Sequence, residues 1–236
     1  MSASEPTILH EDNHLLAVVK PAGLLVQGDR SGDPTLLEVC KAYLKAKYDK
    51  QGNVYLGLVH RLDRPVSGVV LLARTSKAAS RLSAQFRARS VRKTYLAVVE
   101  GAPPALRGTL AHHLADRADA QGRTRCADAL FTGSREGRLD YRVLSADPRR
   151  SVLLVEPATG RRHQTPAQLA AAGCPVAGDL KYGAPVGLPD RSIALHAWRL
   201  QCAHPVGGAP VSFEAPPPRH EPWPKTWPEP SGDPGP

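Results

Sequence analysis

Residues 60–73 read His-Arg-Leu-Asp-Arg-Pro-Val-Ser-Gly-Val-Val-Leu-Leu-Ala, a dense polar cluster followed directly by an apolar run. The run at 69–73 carries no charge and predicts a buried strand. A loop next to a strand is where a rigid scaffold presents reactive groups. Asp63 lies between Arg61 and Arg64, and a nearby cation favours the ionised carboxylate. Asp63 is therefore either a nucleophile or base, or half of a structural ion pair that closes the turn.

Around this stretch the chain mixes short strands and helices without a steady strand–helix–strand rhythm. The predicted strands cover residues 8–9, 15–19, 94–100, 141–144, 152–155, 192–202 and 210–214. The predicted helices cover 35–48, 75–89 and 165–172. Residues 102–138 predict hairpins and a surface loop, and the first strands are expected to join a sheet assembled later in the sequence. We expect an α+β fold with a central mixed, mainly antiparallel sheet, flanking helices and an active-site cleft.

The charge balance of the whole chain favours a polyanionic partner. Its 236 residues include 31 Lys and Arg against 22 Asp and Glu, a formal net charge of +9. Such a balance is typical of nucleic-acid binding, and also of soluble enzymes from arginine-rich proteomes. At roughly 100–200 residues per domain, we expect one catalytic domain over 1–215. Residues 216–236 form a proline-rich tail, expected to be extended or disordered, whose Trp223 and Trp227 indicate that part of it docks on the core.

Several classes of protein are excluded by what the sequence lacks. No apolar run approaches the roughly 18–20 residues that span a bilayer, and the polar N-terminus does not resemble a signal peptide, so we expect a cytoplasmic protein without a membrane partner. The cysteines are far apart and should be free thiols. Adjacent strand residues point to opposite faces, so His112 and His113 should not share a metal ion. Without a Walker or dinucleotide motif, an enzyme that uses ATP or a dinucleotide is not expected.

A second polar cluster, 159–164, reads Thr-Gly-Arg-Arg-His-Gln just before a predicted helix. A helix N-terminus favours anions, so this cluster is either a phosphate or base contact or an arginine-rich surface turn. Residues 74–93 form a basic run without an acid, which phosphate contact would explain. Tyr95 follows this run, and spacing alone favours a core aromatic. The seven cations of the run are Arg74, Lys77, Arg81, Arg87, Arg89, Arg92 and Lys93.

Taken together, these motifs resemble the RluA-like family of RNA pseudouridine synthases over nearly the whole chain. Five motifs occur in order at fitting spacing, which makes chance agreement very unlikely. They are Lys20-Pro21-x-Gly23, His60-Arg61-Leu62-Asp63 with Ser67-Gly68, Lys93-x-Tyr95, Thr159-Gly160-Arg161-x-His163-Gln164 with Tyr182-Gly183, and Leu195-His196-Ala197.

The resemblance implies isomerisation of uridine to pseudouridine in rRNA or tRNA, with no metal and no cofactor, on a catalytic domain without the S4 module of some relatives. Asp63 would be the catalytic carboxylate, either attacking C1′ of the ribose or removing a sugar proton. Tyr95 would stack on the uracil and assist proton loss at C5. Arg61 would hold the nucleotide out of the stack and Leu195 would line the pocket. The candidate RNA-binding residues are Arg61, Arg64, Arg161, His163, Gln164 and Leu195, and we expect a monomer.

One departure from the family pattern concerns Pro166, where the family has the arginine that pairs with the catalytic aspartate. Thr165 should be an N-cap and Pro166 the first helical residue, so the fold should survive. Arg161 or Arg64 could replace the arginine. The alternative is a weakened or inactive RNA-binding or RNA-folding factor on the same scaffold. A further alternative is an unrelated hydrolase that uses Asp63 with His60 or His163.

Overall fold

The computed structural model describes residues 5–225, which form two compact units. The first unit comprises residues 5–93 and 197–216, and the second comprises 94–196 and 217–225. The division into a catalytic domain over 1–215 and a tail over 216–236 stays a prediction. Within residues 5–225, no helix combines the length and apolar character that a membrane crossing requires.

The sheet of the first unit is built around a fully buried strand. This strand, β4 (Ser67–Ala73), lies directly after the Asp63 loop and pairs antiparallel with β2 (Leu15–Lys20). β1 (Thr7–Glu11) forms an antiparallel hairpin with β2, and β3 (Gly57–Leu58) pairs with the end of β4. The first strands join the later strand β4 as expected, but they also pair with each other, because the short turn after β1 lets the chain reverse at once. β10 (Leu195–Ala203) pairs antiparallel with β11 (Pro210–Glu214).

Two helices accompany the first unit, and both begin where the sequence predicts. α1 (Leu36–Lys47) follows Thr35, whose side chain accepts from the backbone N–H of Glu38 while Glu38 bonds back to Thr35. This reciprocal capping box satisfies two otherwise unpaired donors. α2 (Ser76–Arg87) is capped by the Thr75 side chain.

The second unit holds a meander of longer antiparallel strands. β5 (Arg92–Glu100), which begins in the last residues of the first unit, pairs with β9 (Arg150–Pro157), and β9 pairs with β8 (Ser134–Ala146). β8 pairs in turn with β6 (Arg107–Ala115), and β6 pairs with β7 (Cys126–Ala127). α3 (Gln164–Ala171) and a short 3₁₀ turn (Leu180–Tyr182) complete the unit. The predicted α+β fold with mainly antiparallel pairing is confirmed.

The start of α3 differs from the sequence prediction. The N-cap is His163, which has a left-handed φ of 48°, and not Thr165. Pro166 is consequently the third helical residue. The first turn of a helix has no intrahelical acceptors for its N–H groups, so a proline is still accommodated there.

Part of the C-terminal segment docks as expected. Trp223 is 4% exposed, and its ring meets His196 edge-on at 6.1 Å between centroids. Trp227 lies outside the described residues.

Candidate active site

The Asp63 loop of the first unit is fastened to the turn after β2. The Gly23 N–H donates to the Arg64 carbonyl at 2.8 Å, and Arg64 Nε donates back to the Gly23 carbonyl at 2.9 Å. The Val66 N–H donates to the Asp63 carbonyl at 3.1 Å, which closes the loop just before β4. Leu62 is buried beside the half-buried Asp63, so the carboxyl is presented from an anchored backbone.

Lys20, at the end of β2, bonds to both the turn after β2 and the Asp63 loop. It is 0% exposed, and its Nζ donates to the carbonyls of Pro21 at 2.9 Å, Leu24 at 2.8 Å and Arg64 at 3.1 Å. Burial lowers the pKa of Lys20 to about 7, while the negative charge of Asp63 acts in the opposite direction and raises it. An ammonium group thus organises the loop that carries the candidate catalytic carboxylate.

The two arginines that flank Asp63 have different surroundings. Arg64 Nη1 forms an ion pair with Asp33 Oδ2 at 2.7 Å, in addition to the Gly23 bond. This ion pair steadies the turn from its exposed side. Arg61 is exposed, as a residue that contacts a large ligand must be.

His60 is a structural residue of the same loop. Its Nε2 accepts from the Leu71 N–H at 2.9 Å, and its ring stacks on Phe86 at 5.0 Å. Burial, followed by the charge of Lys93, lowers the pKa of His60 to about 3. A neutral imidazole whose acceptor nitrogen is already bonded cannot take a proton from a substrate. His60 therefore cannot act as the base in the hydrolase alternative.

The basic run at 74–93 contains two half-buried cations, Arg74 and Lys93, and five exposed ones. Arg74 pairs with Glu11 at 3.1 Å, and Arg81 Nη1 donates to the Pro205 carbonyl at 2.6 Å. Burial lowers the pKa of Lys93. The exposed cations of this run are Lys77, Arg81, Arg87, Arg89 and Arg92.

In the second unit, Tyr95 and Leu195 lie on neighbouring backbone. Tyr95 is half-buried on β5, opposite Val155 of β9, and Leu195 is 3% exposed. The Val98 N–H donates to the Ala194 carbonyl at 2.9 Å, which holds the residue before Leu195 against β5. The partly exposed Tyr95 can supply a stacking surface, and the buried Leu195 can supply an apolar wall.

The turn before α3 is shaped by its own polar residues. Gln164 is 4% exposed, and its Oε1 accepts from Thr159 Oγ1 at 2.7 Å and from the Arg161 N–H at 3.0 Å. Arg161 Nε donates to the Glu136 carbonyl at 3.1 Å. His163 Nδ1 lies 3.0 Å from Tyr182 Oη. The Gln164 side chain therefore builds the turn from inside, whereas Arg161 and His163 lie at its half-exposed margin.

Sequence reasoning did not single out Lys20 or Tyr182 as site residues. Tyr182 Oη accepts from the Thr124 N–H at 2.8 Å as well as contacting His163, so it joins two separate loops of the second unit. Both residues lie within the family motifs quoted above, and this membership was the sequence signal that could have identified them. Within residues 5–225, no group of three His, Cys, Asp or Glu residues could hold a metal ion, and His112 instead contacts Gln168 at 3.1 Å.

Comparisons with known proteins agree with this architecture. Residues 14–171 match the family described as RNA pseudouridylate synthase. The ribosomal large subunit pseudouridine synthase D of Xanthomonas campestris pv. campestris is 35% identical over 225 residues, covering 89% of this chain and 66% of that protein. The dual-specificity RNA pseudouridine synthase RluA of Escherichia coli (strain K12) is 34% identical, covering 89% of this chain and 92% of that protein.

A solved human structure, RNA pseudouridylate synthase domain containing 4, has a TM-score of 0.75 at 26% identity, covering 90% of this chain and 89% of that one. The first curated relatives are longer proteins, of which this chain spans 61–66%. The resemblance to RluA-like proteins is confirmed, and the chain belongs to the RNA pseudouridylate synthase family.

Proposed function

We propose that this protein isomerises specific uridines of rRNA or tRNA to pseudouridine, with the Asp63 carboxylate acting on a flipped-out nucleotide. The family match over residues 14–171, which includes the Asp63 loop, carries the proposal. The names of the relatives support RNA as the substrate: one acts on the ribosomal large subunit, and another is a dual-specificity RNA enzyme.

The chemistry needs one ionised carboxylate and a pocket that retains the base. The N1–C1′ bond of the uridine breaks, the uracil turns, and a C5–C1′ bond forms in its place. The C5 proton then leaves and N1 gains a proton, so the product is an isomer and no electrons are transferred. Asp63 either attacks C1′ to form a covalent intermediate or removes a sugar proton that starts the cleavage. Tyr95 stacks on the uracil and assists removal of the C5 proton.

Substrate binding requires extrusion of the target base and attraction to the RNA backbone. Arg61 occupies the place of the extruded base, and Leu195 lines the pocket that receives it, within an active-site cleft. The remaining candidate RNA-binding residues are Arg64, Arg161, His163 and Gln164. Arg64 would contact RNA through its exposed side chain, whereas Gln164 would act by holding its turn in place. The protein is proposed to act as a cytoplasmic monomer without a metal or cofactor.

Tritium release from cellular RNA labelled at uridine C5 tests this function directly. We expect release by the wild-type protein and none by Asp63→Ala. The control is Asp49→Asn, which removes an exposed carboxylate just after α1 in the same unit. Retained turnover in Asp63→Ala would refute the assigned role of Asp63. Salt-dependent RNA binding without tritium release by the wild type would favour the alternative of a non-catalytic RNA-binding factor.

A further inference from the structure

The helix α2 carries positive charges that its own stability does not explain. A cation is unfavourable in the first turn of a helix and favourable in the last. α1 follows this rule, with Glu38 in its first turn and Lys45 and Lys47 in its last. α2 instead has Lys77 in its first turn and no acidic residue there. Lys77 and Arg81 are also like charges four residues apart, a spacing that destabilises a helix.

The cations of α2 and of the segment just after it face solvent without negative partners. Lys77, Arg87 and Arg89 are exposed. Within residues 5–225, none of these three side chains forms an ion pair with a carboxylate. Other arginines of the chain do, for example Arg123 with Asp119 at 3.0 Å in the second unit. The exposed face of α2 is thus a positive surface whose counter-charge must come from another molecule.

One flank of this surface is held in place by the β10–β11 hairpin. Arg81 Nη1 donates to the Pro205 carbonyl at 2.6 Å, and Gln85 bonds to both backbone groups of Ala203. Residues 203–212 contain no acid, so this flank adds no negative charge. An open groove of about 340 Å³ lies between the segment after α2 and the hairpin. The polar side chains that line this groove are Ser90, Arg92, Gln201 and Ser212.

α2 leads back along the first unit towards the loop that carries Asp63. It begins after the far end of β4, and its penultimate residue, Phe86, stacks on His60 at 5.0 Å. His60 lies three residues before Asp63. At 1.5 Å per residue, the helix rises about 15 Å from Lys77 to Arg87. A nucleic-acid duplex of that length carries several phosphates. The positive surface is therefore long enough to contact a stretch of backbone that starts near the Asp63 loop.

We propose that the exposed face of α2, with the adjoining groove, is a docking surface for the phosphate backbone of the substrate RNA outside the nucleotide that enters the active site. RNA supplies the counter-charge, and neutralisation of its phosphates releases counterions, which drives binding. Lysine and arginine contacts to phosphates fix the position of a nucleic acid without reading its sequence. The surface thus adds affinity and orientation but no selection among sequences. The choice of RNA as the occupant rests on the proposed function.

The test removes three cations of this surface and compares them with three cations of the other helix of the unit. The α2 variant carries Lys77→Gln, Arg87→Gln and Arg89→Gln. The control variant carries Lys41→Gln, Lys45→Gln and Lys50→Gln, within α1 and the turn after it. Glutamine has a helix propensity close to those of lysine and arginine, and circular dichroism verifies the fold of both variants.

Binding of a fluorescently labelled RNA hairpin is measured at a series of KCl concentrations. Each phosphate contact contributes about 0.9 to the slope of log affinity against log salt on a duplex. We expect the α2 variant to lose about 2–3 from the magnitude of this slope and to bind more weakly, whereas the α1 control keeps the wild-type slope. Equal slopes in the two variants overturn the proposal, including the case in which the surface serves an acidic protein instead.

Steady-state tritium release gives a second readout. The α2 variant should have a higher KM for RNA with little change in kcat, because a backbone contact binds the ground state and the transition state alike. A lower kcat at unchanged KM contradicts a docking role. The binding measurement does not depend on turnover. A reduced slope in a protein that releases no tritium therefore supports the surface and locates the failure in the proposed isomerisation, whereas tritium release with equal slopes overturns the docking surface alone.

Discussion

Gly68 offers the sharpest test of how the Asp63 loop is joined to the sheet. It is the second residue of β4 and has a φ of 123°, a conformation that L side chains rarely adopt. A Cβ there would lie 2.3 Å from the carbonyl oxygen and 2.5 Å from the nitrogen of Ala197, both backbone atoms of β10. Relief of this clash requires β4 and β10 to separate, five residues after Asp63. Gly68 is therefore required by close approach as well as by backbone conformation.

Gly23 is a matched control within the same unit. Its φ is 85°, and a Cβ built on it meets nothing within 4 Å. Gly23→Ala thus reports the cost of backbone conformation alone, about 1–3 kcal/mol for a strained residue. Gly68→Ala adds the steric term, so we expect a total loss of at least about 4 kcal/mol, typical of the largest single-substitution effects.

The free energy of unfolding is measured by urea denaturation, and thermal unfolding gives a second estimate. At about 2–4 °C per kcal/mol for a chain of this size, Gly68→Ala should unfold well below Gly23→Ala. Tritium release by the folded fraction of Gly68→Ala should also fall, because the displaced strand carries the Asp63 loop with it. Equal destabilisation by the two substitutions would refute the close approach of the two backbones as the reason for Gly68.

Three further outcomes are expected. The pKa of His60 is lowered to about 3, below its value in the unfolded chain. The free energy of unfolding should therefore decrease as pH falls from about 6.5 towards 3. In acid denaturation, His60→Gln should show a smaller pH dependence than the wild type. Gln85 Nε2 donates to the Ala203 carbonyl at 2.8 Å, and Gln85 Oε1 accepts from the Ala203 N–H at 2.9 Å. Gln85→Ala should cost about 1–3 kcal/mol and speed hydrogen exchange of the Ala203 amide, whereas the exposed-surface change Ser80→Ala should do neither. Tyr182→Phe removes the acceptor of the Thr124 N–H and should raise KM for RNA more than it lowers kcat, a split that steady-state kinetics resolves.

Sequence patterns predicted most elements of the first unit because their signals are local. The apolar run 69–73 gives β4, and Thr75 caps α2 as expected. The fold class and the family followed from motif order, which needs no three-dimensional information. The loop carrying Asp63 could be recognised in the same way.

The sequence did not predict features that depend on tertiary pairing. β6 and the first five residues of β8 fall within the stretch 102–138 that was interpreted as hairpins and a surface loop, since their charged residues conceal the alternation of buried positions. They pair with each other over nine residues, and that pairing stabilises polar strands that their own propensities do not favour. The burial of Lys20 was equally inaccessible, because its acceptors include a carbonyl 44 residues away in the chain.

Pro166 provides the last test, because the family resemblance and the structure lead to opposite expectations. If the missing arginine limits catalysis, Pro166→Arg should raise activity. The position is buried on α3, however, and a buried guanidinium without a partner costs several kcal/mol. If the buried position cannot accommodate a guanidinium, Pro166→Arg should lower stability and give no gain in kcat.

Pro166→Ala is the matched control. It frees the backbone of the unfolded chain, so it should cost only about 0.4–1 kcal/mol and leave tritium release unchanged. A several-fold gain in kcat for Pro166→Arg, with Pro166→Ala unaffected, would contradict this structural expectation and show that the missing arginine limits catalysis. It would mean that Asp63 still lacks the cation that the family supplies at this position, and that the fold can accommodate an arginine there.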